Sequence, residues 1–359
     1  MRSKKMINYS HSLLLIFMMI ISETKAQQTI HWTQLPPLPT EKGWAGMYAG
    51  VSHHTLIAMG GANFPDKYPW AGGKKKWYDE IYVFQNGKNW IKANEKLTEP
   101  SGYGVTVSYD DKIILIGGNN ENGHLSQVTG LEWDGMKFLK LDYPQLPVPL
   151  ANMAGTLVDD IIVIFGGSSS SSGSALKKCF ALDMKDMSAG WFELDAWPGP
   201  ERVFPVCTFY QGQCYLFGGE TTAINSKGIK YRHILSDSYR LTLHKRDGEW
   251  KSEWQKLAPM PKGISAAGTV LPILNNDRFL FWGGIDPITA LYKNPETHLG
   301  ITQSLLYYFP ETDRWEYAGE QTEILSRVTL PVVFWNNQWV YVSGEIKPGI
   351  RTPTVIGIQ

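Results

Sequence analysis

The chain has only three cysteines, Cys179, Cys207 and Cys214, in 359 residues. Three cannot all pair, which excludes a disulfide scaffold. Cys207 and Cys214 flank an expected hairpin turn at Gln211-Gly212. With a two-residue turn Cys207 faces Leu216 and Cys214 faces Phe209. The sulfurs then lie on a diagonal, a poor geometry for a bridge, and buried free thiols are expected. There is no excess of either charge, since 34 Lys and Arg balance 34 Asp and Glu. No strong field draws the chain to nucleic acid or to an anionic membrane. Charged residues are few (19%) and aromatics many (13%), the reverse of a disordered composition. No histidine pair has metal-ligand spacing, and His53-His54 is placed in a strand-to-strand turn, so no metal site is expected. No apolar run reaches the roughly 20 residues needed to span a bilayer.

The first 26 residues differ from the rest. Arg2, Lys4 and Lys5 form a basic start, Leu13 to Ile21 is unbroken apolar sequence, and Thr24 and Ala26 put small side chains before Gln27. This reads as a cleavable signal peptide over residues 1–26, with a single domain over 27–359. It implies a periplasmic protein, or one released outside the cell. No cysteine follows the apolar run to carry a lipid anchor.

Glycine and tryptophan, by contrast, are plentiful, and they recur in register. One phrase repeats: an apolar strand that stops at two glycines. It appears as LIAMGG, IILIGG, IVIFGG, CYLFGG and RFLFWGG, with a sixth copy WVYVSGE. The first glycines, Gly60, Gly117, Gly166, Gly218 and Gly283, and then Gly344, lie 57, 49, 52, 65 and 61 residues apart. Before each pair lies another apolar strand and a short turn. After it come a loop, an alternating strand such as SLLYYF, and a tryptophan opening a fourth strand: Trp90, Trp191, Trp254 and Trp315. The second copy departs, with Phe138 in that slot. A unit of four antiparallel strands at a period near fifty is one blade of a Kelch-type β-propeller. Six copies predict an all-β, six-bladed ring. The sixth blade lacks its outer strand at the C-terminus, and HWTQLPPLP (His31 to Pro39) supplies it from the other end. Closure of this kind removes exposed edges.

In such a blade the residues after the glycine pair and those leading into the first strand share the face around the central channel. The post-glycine candidates are Ala62-Asn63, Asn119-Asn120, Ser168-Ser169, Glu220, Ile285-Asp286 and Glu345, and the lead-in candidates are Trp44, Tyr103, Asn152, Arg202 and Arg327. Loops 62–79, 220–235 and 285–302 are long enough to wall a pocket. The run Ser168 to Ser174 has the composition of a flexible linker. The sharpest string is GEIKPGIRT (Gly344 to Thr352), which brackets the Pro348-Gly349 turn with Glu345, Lys347 and Arg351. A carboxylate is suited to moving a sugar hydroxyl proton. Arginine is suited to bidentate capture of a substrate carboxylate.

GEIKPGIRT resembles the matching loop of the bacterial N-acetylneuraminate epimerases, the Kelch-propeller sialic acid mutarotases. MGGANF (Met59 to Phe64), GPERVFPV (Gly199 to Val206), the FGG before Glu220 and APMPKGISAAG (Ala258 to Gly268) resemble that family too. In those epimerases the GEIKPGIRT-like blade lies mid-chain, whereas here it ends the chain, so the order looks cyclically permuted. The resemblance implies that anomers of a sugar, N-acetylneuraminate in the first place, are interconverted without a cofactor. It implies that Glu345 is the proton acceptor and Arg351 the anchor for the substrate carboxylate. Lys347, Arg202, Asn63 and Glu220 are the further substrate-binding candidates. The acid is open between a tyrosine, a water and protonated Glu345. The alternative is a non-catalytic glycan- or protein-binding propeller, which has no need of the Glu-Arg loop. A sialidase would carry an aspartate-box string and a copper oxidase a Tyr/His cluster, and the sequence has neither. Nothing in the sequence fixes an oligomeric state.

Overall fold

Each glycine pair ends the second strand of a four-stranded antiparallel sheet, and six such sheets make up Trp32–Gln359 in a computed structural model. The structure describes residues 30–85, 87–224 and 226–359, so the expected signal peptide at 1–26 lies outside the described residues. The innermost strands are Tyr48–Ser52, Val105–Tyr109, Ala154–Val158, Val206–Tyr210, Ile273–Leu274 and Val332–Trp335, in blades 1 to 6. Each is joined to its neighbour by a tight turn. Where both turn residues take positive φ, as His53 (44°) and His54 (62°) or Asn336 (50°) and Asn337 (58°) do, the turn twist matches that of the strands. The expected register holds in blade 4, where Cys207 opposes Leu216 and Cys214 opposes Phe209. All three thiols are free and buried.

The core lies between blades rather than within them. Ile114 and Ile116 of blade 2, for example, pack against Ile162 and Ile164 of blade 3. Fully burying one such side chain stabilises by about 1.5–3 kcal/mol. The recurring tryptophans add a polar staple at the rim. The indole N–H of Trp90 donates to Pro36 O (2.9 Å), Trp191 to Pro144 O (2.8 Å), Trp254 to Asp195 O (2.7 Å) and Trp315 to Ala258 O (3.0 Å). Each acceptor follows the outer strand of the preceding blade, so the repeat's tryptophan ties blade to blade. Phe138 in blade 2 has no donor to do this.

The ring closes as the sequence predicts. Trp32–Leu35 pairs antiparallel with Val355–Ile358, from Trp32 opposite Ile358 to Leu35 opposite Val355, and completes blade 6. Trp32 meets Trp282 of blade 5 edge-on at 4.8 Å.

A second closure runs around the channel. In the segment leading into each inner strand a residue takes positive φ: Gly46, Tyr103, Asn152, Phe204, Ala266 and Thr329. The amide of each donates to the carbonyl of its counterpart one blade back. The distances are Tyr103 to Gly46 2.7 Å, Asn152 to Tyr103 2.9 Å, Phe204 to Asn152 2.7 Å, Ala266 to Phe204 2.9 Å and Thr329 to Ala266 2.9 Å. Gly46 to Thr329, at 2.6 Å, completes the circle between the two ends of the domain. Thr329 is the costly member. It is β-branched at φ 50°, and its hydroxyl is buried without a partner. Left-handed φ costs an L-residue roughly 1–2 kcal/mol. Thr329→Gly is therefore expected to stabilise the protein by about 1 kcal/mol in urea unfolding, after the entropic cost of glycine is deducted. A variant less stable than the parent would show that the threonine side chain supports the ring.

Candidate functional site

The residue after each glycine pair is fixed by the same device. Ala62, Asn119, Ser168, Glu220, Ile285 and Glu345 each form an antiparallel bridge to the residue just ahead of the ring member: Ala45, Gly102, Ala151, Val203, Ser265 and Val328. Glu345 is thereby pinned at the channel face beside Thr329. In blade 6 a serine replaces the first glycine, and its side chain has a use. Ser343 Oγ accepts the Trp44 amide (2.8 Å) and lies within donating distance of Trp44 O (2.8 Å) and Thr352 O (2.7 Å). It locks the end of the GEIKPGIRT loop to the start of blade 1.

That loop is a small hairpin, Glu345–Lys347 against Ile350–Arg351, with Glu345 directly opposite Arg351. Arg351 Nη2 lies 2.6 Å from Glu345 Oε2. The guanidinium also sits 4.7 Å from the centre of the Phe64 ring, and its Nε and Nη1 are buried with no partner. The turn is clamped from above. Gly349 has φ 78°, and a Cβ there would stand 2.6 Å from Pro69 in the turn of helix at Pro69–Ala71. Burial pushes the Glu345 carboxyl above the usual carboxylate range. Arg351, the Gly349 amide, Lys75 and Arg232 oppose this without cancelling it. The site therefore holds a carboxylate with raised proton affinity, kept in place by a cation.

Two of the opposing cations come from the long loops. Lys75 Nζ stands 3.9 Å over the Tyr103 ring and 4.9 Å from the Trp77 ring. Trp77 is itself anchored, its indole donating to Asn119 Oδ1 at 2.9 Å. Arg232 forks onto Glu220, with Nε to Oε1 at 3.1 Å and Nη2 to Oε2 at 2.5 Å. Ser265 Oγ donates to the same Oε2 at 2.9 Å.

The remaining candidates divide. Glu220 reaches the channel face buried, paired with the exposed Arg232. Asn63 is at the face, but both ends of its amide are occupied, Nδ2 by Gly43 O (3.0 Å) and Oδ1 by the Tyr78 hydroxyl (2.8 Å). Lys347 is half-buried next to the Pro348-Gly349 turn. Arg202 is not a substrate contact, which corrects the reading from sequence. It is 0% exposed. It grips Asp237 with both terminal nitrogens (2.9 and 2.7 Å) and donates to Gly218 O (2.7 Å), with Trp197 and Tyr239 at its faces. Its position in sequence leads to the channel, but its side chain turns into the wall. Arg327 does the same in blade 6, donating to Ser343 O (3.2 Å) and Thr354 O (2.9 Å), and burial lowers its pKa to about 10. Asp286 caps the helix Pro287–Leu291 and takes Lys262 at 3.2 Å. Ser168 is buried and meets His124 Nε2 at 3.2 Å, unlike the exposed serines that follow it.

Lys75, Arg232, Phe64 and Ser343 were not singled out from the sequence. The only signal for the first two was a basic residue in a loop too long for a simple connection.

The family described as N-acetylneuraminate epimerase matches residues 19–139 and 143–289. The N-acetylneuraminate epimerase of Haemophilus influenzae (strain PittEE) is 31% identical over 232 residues, which cover 58% of this chain and 57% of that protein. The one from Salmonella enteritidis PT4 (strain P125109) is 43% identical over 122 residues, 30% of this chain and 31% of that protein. The match thus spans little more than half the length of the first of these relatives and about a third of the second. Among solved structures, that of YjhT covers 90% of this chain and 99% of its own at a TM-score of 0.64 and 15% identity, a likeness of fold.

Proposed function

Because the chain belongs to the N-acetylneuraminate epimerase family, we propose that it interconverts the α and β anomers of N-acetylneuraminate, with Glu345 as the base. The Glu345 carboxylate takes the proton of the anomeric hydroxyl. The bond from the anomeric carbon to the ring oxygen breaks as that oxygen gains a proton, leaving an open-chain ketone. The carbonyl turns and the ring oxygen adds to its other face, losing its proton as the new hydroxyl regains one. Protons balance over the cycle, and nothing is oxidised or reduced.

The observation that carries this reading is a half-buried carboxylate at the channel face whose proton affinity is raised and whose position is fixed by a bridge, a hairpin and an arginine. A base works best when its pKa approaches the working pH. The experiment is to follow the anomer signals of freshly dissolved N-acetylneuraminate by NMR, with the spontaneous rate subtracted. Acceleration in proportion to protein concentration is expected. Tight binding of the sugar without acceleration would make the propeller a binder instead.

A further inference from the structure

In N-acetylneuraminate the carboxylate is borne on the anomeric carbon itself. Whatever holds that carboxylate must therefore stand beside the base, across one carbon atom. Two arginines and one lysine act on Glu345 from nearby. Both arginines are already engaged: Arg351 with Glu345 at 2.6 Å, and Arg232 with Glu220 at 2.5 Å. The Arg351 side chain is also 5% exposed, so an incoming carboxylate cannot reach its free nitrogens without displacing the hairpin. Lys75 differs on both points. It is half-buried rather than enclosed, and among the described residues its ammonium makes no ion pair and no hydrogen bond. Its contacts are the faces of Tyr103 and Trp77, which hold a cation and leave its three donors for a ligand. Both rings are tied to the channel face, Tyr103 as a ring member and Trp77 through Asn119. With the two carboxylates matched by two arginines, the Lys75 ammonium adds an unmatched positive charge, the complement of an anionic substrate.

Resting on the mutarotase reading, we propose that Lys75 is the group that binds the substrate carboxylate, and that Arg351 is a positioning residue acting through Glu345. The test compares N-acetylneuraminate with its methyl ester, which keeps the shape and loses the charge. Calorimetric binding to the wild type should favour the acid by roughly 10- to 100-fold, the range for a charge-assisted hydrogen bond. Lys75→Met should erase that preference by weakening the acid alone. Lys75→Arg, which keeps the charge, should retain most of it and serves if the methionine variant folds poorly. Arg351→Met should leave the preference in place but move the pH inflection of kcat/KM upward for acid and ester alike, because a cation that favours ionised Glu345 has gone. A Lys75→Met protein that still prefers the acid overturns the assignment while the mutarotase reading stands. So does an Arg351→Met protein that has lost the preference. A wild type that binds neither compound yet equilibrates a neutral aldose overturns both the substrate and the role of Lys75.

Discussion

Glu345→Gln is expected to lower the catalysed rate of anomer exchange by about 100- to 10,000-fold, the usual cost of losing a general base. The amide has the shape of the carboxylate and can stay opposite Arg351 in the hairpin, so the loss should fall on kcat. The wild type should show the same dependence in its pH profile. Ionised Glu345 is the active form, and burial sets its folded pKa above the ordinary 4.5. Activity should therefore rise with pH through an inflection above that value. A raised folded pKa also has a sign in stability. The contribution of Glu345 to folding is complete below its unfolded pKa and is lost as pH rises through the folded one. The neutral glutamine should thus melt no lower than the parent at neutral pH, and the advantage should vanish on acidification. An inactive variant that melts far below the parent would point to collapse of the hairpin. Equal catalysed rates for the two proteins would remove Glu345 from the mechanism.

A chain that begins at Glu41, without the closing strand, is expected to lose cooperative folding or to melt roughly 10 °C or more below the parent. Removing Trp32–Leu35 leaves Val355–Ile358 as a bare edge with unpaired backbone groups. It also strips Trp282 of Trp32, and takes away the Pro36 carbonyl that holds Trp90. Blade 6 carries Glu345, so the damage falls on the site as well as the ring. Scanning calorimetry and light scattering read the outcome, and addition of a peptide spanning residues 30–40 should partly restore the transition. A truncated protein that melts like the parent would show that the blade does not need its fourth strand.

The fold was legible because its signal is repeated and local. The glycine pairs occupy two successive positive-φ positions, Gly218 at 50° and Gly219 at 92° for instance, and L side chains seldom accept even one. Such a constraint surfaces in the sequence six times. The Glu345–Arg351 pair was legible for a similar reason, since one tight turn brings residues six apart together. The rest of the site depends on distant partners. Lys75 is placed by a hairpin of Ala62–Asn63 with Lys76–Trp77 and by an asparagine from the next blade. Arg232 is placed by a hairpin of Glu220–Ile224 with Lys230–Ile234. Arg202 misled because sequence gives the place of a residue along the chain and not the direction of its side chain. The carboxylate that turns it inward, Asp237, lies 35 residues on, before the third strand of its blade.

The circle of six hydrogen bonds has an electrical consequence. Each peptide unit carries a dipole of about 3.5 D. Along a helix these dipoles align, and the exposed N-terminus becomes a binding place for anions. Here the amide-to-carbonyl links run head to tail from Gly46 through Thr329, Ala266, Phe204, Asn152 and Tyr103 and back to Gly46. Around a closed circuit the in-plane components cancel. The ring therefore favours no one side of the channel over another. What the propeller attracts is decided by the loops above it, through Lys75, Arg232 and the Glu345 hairpin. A change of one loop residue can change the charge of the ligand accepted without altering the backbone on which it rests.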